Sequence, residues 1–154
     1  RAVSQVFFSE ASSLARNNPK SLNALIKGVF LKSLLIAVPV GSVFVLFGPS
    51  LFSLIFGSEW REAGEYARIL SFMIVARFAV NPVSQTLLIV EKQGTQLLID
   101  VTRLVLVVVG FLLPRLMKIE VLGAVTFYSI LMILVYLVSY VIILSSLGRN
   151  KNAN

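Results

Sequence analysis

An arginine stands inside one of the hydrophobic segments of this chain. Arg77 lies within residues 67–90, a mostly apolar stretch that reaches the ~20 residues needed to cross a bilayer. A charged side chain at bilayer depth costs roughly 2.5–3.5 kcal/mol on insertion scales, so it usually faces a bundle interior or a wet cavity. Asn81, Ser84 and Gln85 follow at spacings that place them on the same helix face. The pattern predicts a substrate path along this face or, alternatively, a structural charge paired with a neighbouring helix.

A second pair of charges stands near the beginning of another apolar segment. Asp100 and Arg103 are separated by three positions, which lets a carboxylate and a guanidinium meet on a helix surface. Paired in this way, the two groups offset part of each other's desolvation. Two interpretations stay open: a structural pair that reaches the membrane surface, or a pair that takes part in ion coupling or gating.

The sequence lacks the residues that most metal sites and covalent mechanisms use. There is no histidine and no cysteine, which excludes His-centred triads, zinc thiolates, thiol nucleophiles and disulfides. Glu59 and Glu62 have only their spacing in favour of a catalytic pair, and a solvated polar loop over residues 57–66 explains them far better. We therefore predict that the protein is not an enzyme and uses no metal or cofactor, with an integral-membrane enzyme as a weak alternative.

The composition is that of a membrane protein. Hydrophobic residues make up 57% and charged residues 14% of the 154 positions, and the mean hydropathy is +0.89, values typical of chains with several membrane helices. We predict an all-α, polytopic integral membrane bundle of about four transmembrane helices. The expected spans lie near residues 33–56, 67–90, 96–114 and 121–147.

Two further features of the first helical segment follow from its sequence. Pro19 is suited to the first turn of a helix, and apolar residues then recur at helical spacing with lysines among them. Residues 19–32 are therefore expected to form an amphipathic helix at the membrane surface that runs directly into the first span. Gly48 and Pro49 are expected to break that span near its far side.

The basic residues predict the orientation in the membrane. The net charge is +7, but these residues lie between the hydrophobic runs and do not alternate with aromatics, which argues against nucleic acid as a partner. Four crossings place both ends of the chain on one side, and that side has more lysine and arginine. We therefore expect both ends in the cytoplasm. The richer side holds Arg1, Arg16, Lys20, Lys27, Lys32, Lys92, Arg149 and Lys151, and the poorer side Arg61, Arg68, Arg115 and Lys118.

Several short motifs occur in a recognisable order. An aromatic-then-serine ending at Phe7–Ser12 is followed by the basic linker Asn18-Pro19-Lys20, and residues 37–41 read AVPVG. The most specific motif is LIFGSEW at residues 54–60. This series resembles the polysaccharide and O-antigen repeat-unit flippases of the multidrug/oligosaccharidyl-lipid/polysaccharide exporter superfamily, over about residues 5–147. Ala63-Gly64, Ile69-Leu70 and the segment 85–93 continue the resemblance.

The resemblance implies a function and a larger protein. Members of this family move lipid-linked oligosaccharides, carried on undecaprenyl pyrophosphate, across the bacterial cytoplasmic membrane by alternating access between two bundles. The chain is then expected to be a C-terminal part, residues 1–154, that works with an N-terminal bundle of the same protein. A drug or small-solute exporter of the superfamily and a structural membrane subunit without transport are the alternatives.

Overall fold

Four long helices make up the part of the chain that the structure describes. The computed structural model describes residues 19–84, 87 and 93–148, with the side chains of 22–84, 87 and 93–145. The helices are α1 (Pro19–Phe56), α2 (Arg61–Ser84), α3 (Gln93–Leu116) and α4 (Val121–Gly148), and a short 3-10 turn (Ser58–Trp60) joins the first two. Within these ranges there is no β-strand, and the all-α prediction is confirmed.

The four helices have the length and composition of membrane spans. Each contains an apolar window long enough to cross a bilayer, and large hydrophobic side chains remain exposed along their outer faces. Such a surface is unfavourable in water and suited to hydrocarbon. The chain is therefore a multi-pass membrane protein. Three of the most exposed of these side chains are Leu54, Ile55 and Leu104.

Helix α1 is longer and more continuous than the sequence predicts. It runs unbroken through Pro39 and Pro49, so the expected break at Gly48-Pro49 is wrong. Membrane helices tolerate proline because neighbouring groups satisfy the freed carbonyls. The helix ends instead at Gly57, whose positive φ of 105° is a conformation that glycine adopts without strain.

The first turns of α1 pack against the other helices with one face. Leu22 and Ile26 are 2% and 0% exposed, and they are part of the same buried cluster as Val83, Leu87 and Ile143. The opposite face of these turns is exposed, as expected of an amphipathic helix, and the predicted continuity of residues 19–32 with the first span is confirmed. Their location at the membrane surface stays a prediction.

The remaining boundaries differ from the prediction by a few residues. Helix α2 already begins at Arg61, so the predicted polar loop at 57–66 shrinks to Gly57 and one short turn. Helices α3 and α4 extend the predicted spans slightly at their ends. The Phe7–Ser12 motif, most of the turn near residues 85–92 and the tail after 148 lie outside the described residues.

The helices pack in the spatial order α1, α2, α4, α3. Helix α2 lies between α1 and α4, and α3 packs mainly against α4. The α1–α2 pair is the closest, because Gly48 and Gly64 bring the two backbones together: a Cβ on Gly64 would lie 2.5 Å from the Cα of Pro49. Small residues at such crossings let membrane helices approach closely. Farther along, Val75 packs on Gly41.

We predict that Gly64→Ala destabilises the protein. The added methyl group must push the α1 backbone away, and overpacking of this kind costs about 1–3 kcal/mol. Gly28→Ala is the matched control, since a Cβ there meets nothing within 4 Å. Thermal unfolding in detergent should show a lower Tm for Gly64→Ala and an unchanged or higher Tm for Gly28→Ala. Equal Tm values for the two variants would contradict the close crossing.

Candidate functional site

The polar face predicted on α2 is partly open. Arg77 and Asn81 are exposed, whereas Ser84 is 7% exposed and its Oγ donates a hydrogen bond to the carbonyl oxygen of Val80 at 3.2 Å. At ~100° per residue, Ser84 lies about 20° from Arg77 in one direction and Asn81 about 40° in the other. Burial therefore groups Arg77 with Asn81 and places Ser84 in the core. Gln85 lies outside the described residues.

An apolar groove lies between α1 and α2, and Arg77 is adjacent in sequence to one of its lining residues, Phe78. The groove has a volume of about 360 Å³, and Arg77 itself does not line it. The one hydroxyl group of the groove, that of Ser71, is used within α2 as a donor to the carbonyl oxygen of Ala67 at 2.6 Å. The groove is therefore almost entirely hydrophobic, with an exposed cation next to it on α2. The other lining residues are Ile36, Ala37, Val40, Gly41, Phe44, Ala67, Leu70, Ser71 and Val75.

The predicted pair on α3 is present and has a third member. Arg103 Nη1 lies 3.3 Å from Asp100 Oδ1, and Gln96 Nε2 donates to Asp100 Oδ2 at 3.0 Å. The side chain of Asp100 is 49% exposed and that of Arg103 only 23%. The carboxylate is thus held from both sides on the open surface of α3, while the guanidinium points inward.

The guanidinium of Arg103 lies over an aromatic ring of the next helix. Its Cζ is 5.0 Å from the centroid of the Tyr136 ring, and Tyr136 is 2% exposed. A cation over the ring face is attracted by the ring quadrupole, by up to about 2 kcal/mol when water is absent. This contact compensates in part for the removal of the charge from water.

The two arginines lie at about the same depth as Tyr136. At ~1.5 Å per residue, Arg77 is about 24 Å and Tyr136 about 22 Å from the first residues of α2 and α4, and Arg103 is about 20 Å from the last residue of α3. These depths fall within the ~30 Å hydrocarbon thickness of a bilayer. We call Arg77, Asp100, Arg103 and Tyr136 the arginine layer.

The charges of the arginine layer do not balance. Among the described residues, Asp100 pairs with Arg103, and no acid forms an ion pair with Arg77. Two cations and one carboxylate leave one positive charge, and charges act over longer distances in hydrocarbon than in water. The layer is therefore suited to attract an anion. No group of three potential metal ligands occurs in the described ranges.

The sequence predicts the members of this site only in part. Arg77, Asp100 and Arg103 stand out because charges are rare in membrane spans. Tyr136 does not, because tyrosines and small residues at helical spacing on α4 are typical of ordinary helix packing. One signal in the sequence could have grouped Arg103 with Arg77. Counted in residues from the same end of the bundle, the two arginines lie at similar depths.

Comparisons with known proteins add nothing to this geometry. No protein-family model, no curated protein and no solved structure matches the chain.

We predict that Arg103 and Tyr136 are energetically coupled. Tyr136→Leu removes the ring under the guanidinium and should destabilise the protein more than Tyr136→Phe, which keeps the ring. In an Arg103→Gln background this difference should shrink by about 0.5–2 kcal/mol, the range of a cation–π contact. The coupling is measured from the unfolding free energies in detergent of four variants: Tyr136→Leu and Tyr136→Phe, each with and without Arg103→Gln. Strict additivity of the substitutions would exclude the contact.

Proposed function

We propose that this protein takes part in moving lipid-linked oligosaccharides across the bacterial cytoplasmic membrane by alternating access. The observation that carries the proposal is Arg77, an open cation beside the apolar groove of α1 and α2. An undecaprenyl-pyrophosphate-linked glycan combines an anionic group with a long hydrocarbon chain. The arginine matches the first feature and the groove matches the second.

The polar residues near Arg77 support the same cargo. Asn81 is exposed one turn farther along α2, and an amide side chain both donates and accepts hydrogen bonds, as sugar hydroxyls do. A cation alone would favour any anion, whereas a cation with an adjacent amide favours an anion that also carries hydroxyl groups. Gln85, four positions farther along the sequence, has the same side-chain chemistry.

Two other functions stay as alternatives. A drug or small-solute exporter that is driven by cations would be expected to hold several acids inside its spans, and Asp100 is the one acid of the arginine layer. A structural membrane subunit would be expected to seal Arg77 against a neighbouring acid, and no described acid forms such a pair. Both observations favour the glycan transporter.

Substitution of Arg77 tests the proposal. In a strain that carries only the variant gene, Arg77→Ala should lower surface glycan by about tenfold or more, because a lost charge-assisted hydrogen bond costs roughly 1.5–3 kcal/mol. Arg77→Lys should retain part of the display, since the charge remains but the planar fork is lost. Surface glycan per cell, normalised to the amount of protein in the membrane, is the readout.

Arg115→Ala is the matched control for these variants. Arg115 is an exposed arginine in the last turn of α3, far from the arginine layer. Its substitution should leave surface glycan unchanged. Normal display with both Arg77 variants, at normal protein levels, would remove Arg77 from the transport path and with it the proposal.

The proposed orientation can be tested because the sequence contains no cysteine. Ser58→Cys, in the short turn between α1 and α2, should react with a membrane-impermeant maleimide added to intact cells. Gly94→Cys, in the first turn of α3, should react only after the cells are permeabilised, because the more basic side faces the cytoplasm. A gel shift measures the extent of maleimide labelling at each of the two positions. The reverse pattern would show that the orientation is inverted.

A further inference from the structure

Within the described part of the chain, Arg103 is the member of the arginine layer that has buried donors without hydrogen-bond partners. Its Nε and Nη2 atoms are buried and have no hydrogen-bond partner among the described residues, and only Nη1 contacts Asp100. Buried donors without partners are unfavourable, and more so when they carry charge. The observed position over Tyr136 therefore holds the guanidinium in place without using most of its donors.

The ion pair between Asp100 and the Arg103 guanidinium is weak. The pair is joined by one contact of 3.3 Å, which is long for a charge-assisted hydrogen bond, and no second N–H completes a bidentate arrangement. Gln96 binds the other carboxylate oxygen and fixes Asp100 on its own helix. An anion with two oxygens at hydrogen-bond spacing would bind Arg103 better than Asp100 does.

The unused donors match one class of anion. Nε and Nη2 of a guanidinium lie in one plane and bind two oxygens of a phosphate side by side. Both atoms are covered in the present arrangement, so a phosphate reaches them only when the side chain leaves the Tyr136 ring. The side chain is 23% exposed and is therefore not enclosed on every side.

We propose that Arg103 binds the phosphate or pyrophosphate group of the cargo and that Asp100 is a built-in competing anion. In the resting state Arg103 lies on Tyr136 and contacts Asp100. A phosphate draws the guanidinium off the ring and replaces the carboxylate, and the return of Asp100 favours release. The inference rests on the proposed function for the identity of the cargo, and it concerns a residue on a different helix from Arg77.

Binding measurements on the purified full-length protein in detergent test this inference. Inorganic pyrophosphate and farnesyl pyrophosphate are the probes, titrated by calorimetry, and they separate a free phosphate group from a lipid-linked one. Asp100→Asn should tighten binding by about two- to fivefold, the range of a partly exposed ion pair. Arg103→Gln should weaken it by about tenfold or more.

A conservative variant separates charge from geometry. Arg103→Lys keeps the positive charge but lacks the planar pair of donors, so it should bind clearly more weakly than the native protein. Circular dichroism and gel filtration establish that each variant is folded. If Arg103→Gln fails to fold, the comparison of Arg103→Lys with Asp100→Asn still decides. Native affinity in Arg103→Lys, or unchanged affinity in Asp100→Asn, would overturn the inference.

The chain contains a matched control pair. Glu65 and Arg68 have the same spacing on α2, an N–O distance of 3.1 Å and side chains that are 35% and 41% exposed. Arg68 also has a buried Nε without a partner among the described residues, so the control pair shares this property with Arg103 and differs in its location. Glu65→Gln and Arg68→Gln should leave pyrophosphate binding unchanged. If substitutions in the Glu65–Arg68 pair changed pyrophosphate affinity as much as those in the Asp100–Arg103 pair, binding would reflect general electrostatic attraction. That result would overturn the role of Arg103.

The result can be read apart from the proposed function. The titrations use no glycan and no transport, whereas the Arg77 experiment measures surface glycan. Normal glycan display in the Arg77 variants together with the expected Arg103 titrations would leave a phosphate-binding membrane protein of another function. Reduced display in the Arg77 variants with native binding in Arg103→Gln would keep the transporter and exclude Arg103 as its phosphate ligand.

Discussion

The cost of placing a guanidinium in hydrocarbon governs how this bundle is arranged. A membrane helix can hold an arginine at depth only if something near it replaces water. Arg103 has such replacements in Asp100 and the Tyr136 ring. Arg77 has none that forms an ion pair among the described residues, so the neighbour that stabilises it has to come from water, a ligand or another part of the protein.

Helix α4 determines how the two cations are placed relative to each other. It packs between α2 and α3 and carries Tyr136, whose ring lies under the guanidinium of Arg103. The Ser129 hydroxyl donates to the carbonyl oxygen of Ile69 at 3.1 Å and joins α4 to α2 in the N-terminal halves of both helices. One polar bond between helices is modest in energy, about 0.6 kcal/mol on average, but it helps to fix the rotation of α4 and so the direction of Tyr136.

The helices themselves could be predicted from the sequence, and their packing could not. Long apolar runs between charged linkers specify spans directly, because few other structures bury such segments. An amphipathic stripe such as that of residues 19–32 looks the same in sequence whether it faces lipid or another helix, and only the structure places Ile26 in one buried cluster with Ile143 of α4. The helix break expected at Pro49 is absent, because inside a membrane bundle neighbouring groups can satisfy the carbonyl that a proline leaves free. Tyr136 could not be predicted from the sequence either, because its role depends on its contact with an arginine 33 positions away.

The close crossing of α1 and α2 has a consequence for biogenesis. Of the four spans, α2 is the least hydrophobic, and it carries Arg77. Alone, it would partition poorly from the translocation channel into lipid. Its connection to α1 is a single glycine and one short turn, and Gly48 and Gly64 let the two backbones meet as soon as both have been synthesised. The strongly apolar α1 and the less apolar α2 can therefore insert into the bilayer together as a helical hairpin. A segment that inserts poorly alone then enters the membrane with its partner.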